Sequence, residues 1–177
     1  MDIRHFTFTP FKMNFVSIKC KDFKRKKEKL IKAFENYPEK LNEFNLFYTN
    51  KNNTDVELKK QFCQIMQDEI KILCQEFKAK INLYDVWSVS YEKGQYNPAH
   101  NHGSTNLCGI LYLNFDKNSP KTSYIQPWNN LADKTVYFTP DIEEGDMIIA
   151  PQQVMHFTEP NKIVYKKRII SFDFQAL

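Results

Sequence analysis

The chain has 177 residues, 42% of them hydrophobic and 15% aromatic, with fifteen Phe and nine Tyr against only four Gly. That size and composition predict one domain over 1–177 with a substantial core, and exclude the disordered and collagen-like classes. A net charge of +4 does not call for a polyanionic partner, and the four cysteines form no C-x-x-C pair, so buried free thiols are expected rather than a zinc knuckle or redox motif. No apolar stretch approaches the ~18 residues of a membrane span. The start, Met1-Asp2-Ile3-Arg4-His5, lacks the apolar core of a signal peptide, so a soluble, cytoplasmic protein is expected.

The first twenty residues alternate loosely between apolar and polar around Pro10 and predict two short strands. From Asp22, placed as an N-cap, Phe23, Leu30, Ile31 and Phe34 recur with helical period until Pro38. The other face of this helix carries Lys24, Arg25, Lys26, Lys27, Lys29 and Lys32. It is read as solvated surface, because no aromatics interleave with the charges as a nucleic-acid footprint would ask. Thr54-x-x-Glu57 reads as a capping box that opens one long helix to about Lys80. Its stripe of Leu58, Phe62, Ile65, Met66, Leu73 and Phe77 would brace the back of a sheet.

From Ile81 the pattern changes to short runs of β-branched and aromatic residues at 84–92, 107–115, 122–127, 135–139, 146–150, 153–157 and 166–174. Turns separate them at Glu92-Lys93-Gly94, Asp116-Lys117-Asn118-Ser119-Pro120 and Glu143-Glu144-Gly145-Asp146. Helices followed by many short strands predict an α+β chain. Residues 1–80 form the front end, and 81–177 a double-sheet jelly roll braced by the N-terminal helices and holding the site.

Three of the four histidines fall within two phrases, Gly94-x5-His100-x-His102 and Gly145-x5-Pro151-x4-His156. A pair at i and i+2 on a strand points both imidazoles to one face. A third from a distant strand completes a facial set for a metal, and neutral imidazoles suit iron, copper, nickel or zinc.

The run Trp87-x3-Tyr91-x2-Gly94-x2-Asn97-x2-His100-x-His102, followed by Leu107-Cys108-Gly109-Ile110-Leu111-Tyr112-Leu113, resembles the 2-oxoglutarate and iron(II)-dependent oxygenases, in particular a subgroup found in bacteria and phages. The phrase from Glu144 through Pro151 to His156 and Pro160-Asn161 is similar to their distal-histidine segment, and Arg168 to Phe174 to their closing strand. The likeness covers roughly residues 84–174. It implies a double-stranded β-helix with Fe(II) at one mouth and 2-oxoglutarate chelating the metal through its 2-oxo acid end. It also implies O2 as a further co-substrate and hydroxylation of a C–H bond, with succinate and CO2 as by-products. Nothing in the sequence names the primary substrate; if the chain is phage-encoded, the host cytoplasm is its place of action.

By position, His100 and His156 match the family's two iron-binding histidines. His102 falls where most members carry Asp or Glu, which leaves the site one negative charge short. Direct ligation by His102 is expected from the i, i+2 geometry, beside two other outcomes: an open position, or lost catalysis. Arg168, twelve residues after His156, is expected to neutralise the remote carboxylate of 2-oxoglutarate with paired hydrogen bonds. Ile170 stands where such enzymes often have Ser, so Tyr112, helped by Tyr124 or Asn106, is expected to share that carboxylate. Trp128, Tyr91 and Gln126 are expected on the substrate side of the metal mouth, and Trp87 in packing. Two other readings stay open. One is a three-histidine cupin dioxygenase without a 2-oxo acid, in which Asn106 stands where many cupins place a Glu ligand. The other is a non-catalytic jelly roll docking nucleic acid through the basic segment 19–32.

Overall fold

In a computed structural model of the chain, residues 15–49, 55–103, 106–130 and 132–177 are described. Seven strands form one antiparallel sheet: β1 (Val16–Lys19), β2 (Lys40–Leu41), β3 (Phe47–Thr49), β4 (Ile81–Tyr91), β6 (Leu107–Asn114), β9 (Asp146–Pro151) and β11 (Lys167–Ala176). Their spatial order is β1-β9-β6-β11-β4-β3-β2. Four short strands, β5 (Asn97–His100), β7 (Thr122–Ile125), β8 (Tyr137–Phe138) and β10 (His156–Thr158), form a second sheet in the order β5-β10-β7-β8. Three helices complete the fold: α1 (Phe23–Glu35), α2 (Val56–Ile65) and α3 (Gln67–Phe77).

Strand alternation gives the large sheet two apolar faces and so two cores. On one face Val86, Leu111, Leu113, Met147, Ile149, Ile170, Phe172 and Phe174 meet Leu30, Phe34, Leu58, Phe62 and Leu73 of the helices. On the other, Trp87, Val89, Tyr91, Cys108, Ile110, Tyr112, Ile148 and Ile169 meet Tyr124 and Val154. Gly109 makes the first core possible, since a Cβ there would lie 2.1 Å from the Phe172 ring. Among the described residues no helix is long and apolar enough to cross a membrane.

Several elements depart from the sequence reading. The single helix expected over 54–80 is two helices broken at Met66 (φ −99°, ψ 21°), which lets the Leu58/Phe62 face and the Leu73 face both stay on the sheet. Its described cap is Asp55, whose side chain accepts from Leu58 N at 2.7 Å; Thr54 lies outside the described residues. Asp22 does precede α1, but in the left-handed region at φ 52° and without a side-chain cap. Lys26 leaves the solvated face, for it is buried with its Nζ 2.7 Å from Glu69 Oε2, pinning α1 to α3. Of the two strands read into the first twenty residues, β1 is present, paired along β9, and the stretch before residue 15 lies outside the described residues. The edge strand β5, with Pro98 inside it, was not anticipated; an edge strand accommodates Pro because one side of it makes no ladder bonds. All four cysteines are free thiols.

Candidate metal centre

The second sheet assembles the histidines. His100 ends β5, His156 opens β10, and the two are directly opposite in the antiparallel register. His102 follows two residues later, its backbone N–H donating to Gln152 O at 3.0 Å. The ring centroids lie 4.5 Å (His100–His156), 5.1 Å (His102–His156) and 5.3 Å (His100–His102) apart, and one nitrogen of each ring falls within 4.8 Å of the others.

Each ring is oriented through Nδ1. His100 Nδ1 is 2.8 Å from Pro98 O, and His156 Nδ1 is 3.0 Å from Val154 O. A carbonyl oxygen only accepts, so Nδ1 carries the proton in both rings and Nε2 is the ligand atom. His102 Nδ1 lies 2.8 Å from Asp173 Oδ1 of β11, which fixes the same tautomer through a carboxylate. Burial, then the neighbouring His100 and His102, lowers the His156 pKa to about 3, so this ring stays neutral and able to donate its lone pair. Trp87 packs against His102 with centroids 5.5 Å apart, and Tyr124 lies 5.5 Å from His156.

Beneath the histidines a narrow cavity is lined by Tyr91, Asn97, Thr122, Thr158, Ile169 and Ser171, among others. The Tyr91 hydroxyl is buried at this floor without a hydrogen bond of good geometry. Beside Tyr91 lies a residue that sequence reasoning passed over. Lys167 is wholly buried, its Nζ donates to Pro120 O at 2.7 Å, and the ammonium stands 4.6 Å from the Tyr91 ring centroid. Tyr112 and Phe115 add ring faces at 5.8 and 5.7 Å. Burial alone pulls its pKa down from 10.5 to about 7.

The structure does not bring Arg168 to the histidines. On β11, Lys167, Ile169, Ser171 and Asp173 share the metal side, whereas Arg168 alternates with Ile170, Phe172 and Phe174 on the helix side. Arg168 donates there to Ser88 Oγ at 3.1 Å, and Ser88 is in turn 2.7 Å from Thr49 Oγ1. A strand has period two, so a one-residue misassignment moves a side chain to the opposite face. The signal available in the sequence was the polar series Lys167, Ser171 and Asp173 set against the apolar series Ile170, Phe172 and Phe174.

The other expected residues divide. Tyr112 is buried beside Lys167, and its hydroxyl accepts from Thr122 N at 3.3 Å. Tyr91 is at the cavity floor rather than on the outer, substrate side. Tyr124 touches both the metal face and an outer aromatic cleft that it lines with Gln126, Trp128, Tyr137 and Phe138. Gln126 donates to the Trp128 carbonyl at 3.0 Å. Asn106 lies beside Gln152 and Tyr84, its carbonyl accepting from Gln152 N at 2.8 Å.

Three convergent imidazoles, with a buried tyrosine hydroxyl and a buried ammonium nearby, suit a divalent metal together with an anionic chelator. Fold and donor set thus give a site that can hold a single metal ion. The family follows from comparison: residues 85–173 match the model of the family described as "Putative 2OG-Fe(II) oxygenase", and the chain belongs to that family, whose members use Fe(II), 2-oxoglutarate and O2 on a separate substrate. This membership decides against the cupin reading. No curated protein sequence matches the chain. Among solved structures it is similar to the non-heme alpha-ketoglutarate-dependent epimerase SnoN from nogalamycin biosynthesis (TM-score 0.71, 8% identity, covering 92% of this chain and 77% of that one). It is similar also to HygX from Streptomyces hygroscopicus, with nickel, 2-oxoglutarate and hygromycin B bound (0.68, 11%, 93% and 83%), and to a Pseudomonas putida prolyl-4-hydroxylase (0.60, 10%, 93% and 94%).

Proposed function

We propose that the chain works as one oxygenase-like domain over 1–177, a double-stranded β-helix that hydroxylates a C–H bond of a separate substrate while 2-oxoglutarate becomes succinate and CO2. The observation that carries this is the convergence of three histidine nitrogens within 4.8 Å, with each ring locked through its other nitrogen. His100, His102 and His156 hold Fe(II). The iron with its 2-oxo acid and O2 supplies the oxidising power; the protein binds, orients and keeps water out.

Lys167 takes the distal carboxylate of 2-oxoglutarate in place of Arg168. It is the buried ammonium on the histidine side of β11, and its depressed pKa reports a charge that lacks a counter-ion. Tyr91, which lines the histidine cavity and packs against the Lys167 ammonium, offers its hydroxyl as the second donor toward that carboxylate. Tyr112 shapes the cavity around Lys167. Tyr124 separates this inner space from the outer cleft, where Gln126 and the half-exposed Trp128 and Phe138 form the side open to a primary substrate. Four free thiols support a reducing, cytoplasmic setting. Lys19, Lys26 and Lys27 are engaged by Glu143, Glu69 and Glu144, which weakens any nucleic-acid role for the basic segment.

The test is anaerobic titration of Fe(II)-loaded protein with 2-oxoglutarate. A saturable metal-to-ligand absorption band that is lost in His156→Ala, and succinate release on admitting O2, are expected. Absence of the band with metal bound would overturn the assignment.

A further inference from the structure

The carboxylate missing from the third ligand position is present one bond further out. We propose that Asp173 is a positioning residue for the metal: its carboxylate accepts the His102 Nδ1–H, aims Nε2 at the ion, and supplies through the ring the negative charge that a neutral third ligand lacks. This rests on the three-histidine iron reading above.

Three observations support it. His100 and His156 are oriented by neutral backbone carbonyls two residues back in sequence, whereas His102 reaches a carboxylate 71 residues away. The contact is 2.8 Å between side chains only 10% and 12% exposed, so solvent screens it little. The pair is also held from both sides. Trp87 packs on the His102 ring, and Asp173 is fixed in the centre of β11, opposite Asp85 of β4 and Cys108 of β6. Cys108 lies within 4.8 Å of both groups.

The chemistry follows from the donor set. A divalent ion with three neutral imidazoles keeps two positive charges, and with two imidazoles and a carboxylate keeps one. A carboxylate accepting the Nδ1–H of the third imidazole makes that ring a stronger donor and returns the local charge to the lower value. His102 and Asp173 together thus do the work of one acidic ligand. The substitution at 102 is then a relocation of the charge rather than its loss.

The experiment is Co(II) binding followed by its visible absorption, which needs neither 2-oxoglutarate nor turnover. Asp173→Asn is expected to weaken Co(II) affinity about ten- to a hundredfold, with Asp173→Glu recovering part of it. In a His102→Asp background the ligand is itself anionic, so adding Asp173→Asn should leave affinity unchanged or raise it; a merely structural Asp173 would cost the same in both backgrounds. Independently of any variant, histidine 15N spectra of the Zn(II)-loaded wild type should show His102 as Nδ1–H with Nε2 on the metal. Metal on Nδ1 of His102, or equal Co(II) affinity and spectrum in folded Asp173→Asn, would overturn the proposal. Failure of the wild type to bind Co(II) at all would instead strike at the three-histidine site itself.

Discussion

Lys167→Met separates the two candidate carboxylate partners and does so with opposite signs in two assays. In the protein without co-substrate the ammonium is buried against Tyr91, Tyr112 and Phe115 with one carbonyl partner, and its pKa falls from 10.5 to about 7. That drop corresponds to a penalty of about 5 kcal/mol on the charged form. The unfolded chain keeps this proton up to about pH 10.5 and the folded chain releases it near 7, so between those values the unfolded state binds more protons and wild-type stability rises with pH. Methionine preserves the volume without the charge. The variant should therefore be more stable than wild type near pH 6, and its advantage should shrink by about 3 kcal/mol by about pH 9, measured by urea denaturation at each pH. Co-substrate binding should move the other way. Removing a buried partner of a carboxylate costs about 2–5 kcal/mol, which is roughly a 30-fold to several-thousand-fold rise in the Kd for 2-oxoglutarate on the Ni(II)-loaded protein. In the wild type, that Kd should rise about tenfold per pH unit above 7, because only the charged lysine serves. Arg168→Leu should leave the Kd within a few-fold. If Arg168→Leu abolishes 2-oxoglutarate binding while Lys167→Met keeps it, the assignment of faces on β11 is refuted.

Gly109→Ala would drive a Cβ to within 2.1–2.8 Å of three Phe172 ring atoms; overpacking of this kind costs about 1–3 kcal/mol and should lower Tm by about 3–10 °C in a thermal melt. Lys26→Met leaves Glu69 buried without its cation and should destabilise by about 3–5 kcal/mol in chemical denaturation, while Lys26→Met with Glu69→Leu should recover most of it; equal losses in single and double variants would contradict the pairing. Trp128→Ala removes an outer-cleft ring and should leave Co(II) and 2-oxoglutarate affinities within about twofold by titration, since Trp128 lines the outer cleft and the histidines line the inner cavity.

The histidine pair was legible as a phrase, but not as an i, i+2 pair on one strand, since β5 ends at His100 and the His102 backbone is held by Gln152 O beyond it. The strand-rich half after Ile81 was legible because it depends on local periodicity. Helix α1 and the apolar stripe of α2 and α3 were legible for the same reason. The break at Met66 was not, since the stripe continues through it and only docking against the sheet decides where the axis bends. Strand β5 hid behind Pro98, because its pairing with β10 is a long-range event that local propensity does not encode.

The amino-acid sequence by itself determined that three imidazoles would be available, two of them on strands and His102 just past the end of β5, and the pattern of residues around them marked the family. It did not decide which of two adjacent cations lies on the histidine side of β11, because Lys167 and Arg168 are chemically interchangeable to a pattern and differ only in the face that β11 turns inward. Nor did it pair His102 with Asp173, 71 residues apart. Both depend on registry: β11 lies between β4 and β6, and that registry sets Lys167 beside Tyr91 and brings Asp173 within 2.8 Å of His102. Ligand identity was local information. The carboxylate beside His102, and the cation proposed to meet the co-substrate, are decided by strand neighbours that meet only in the folded sheet.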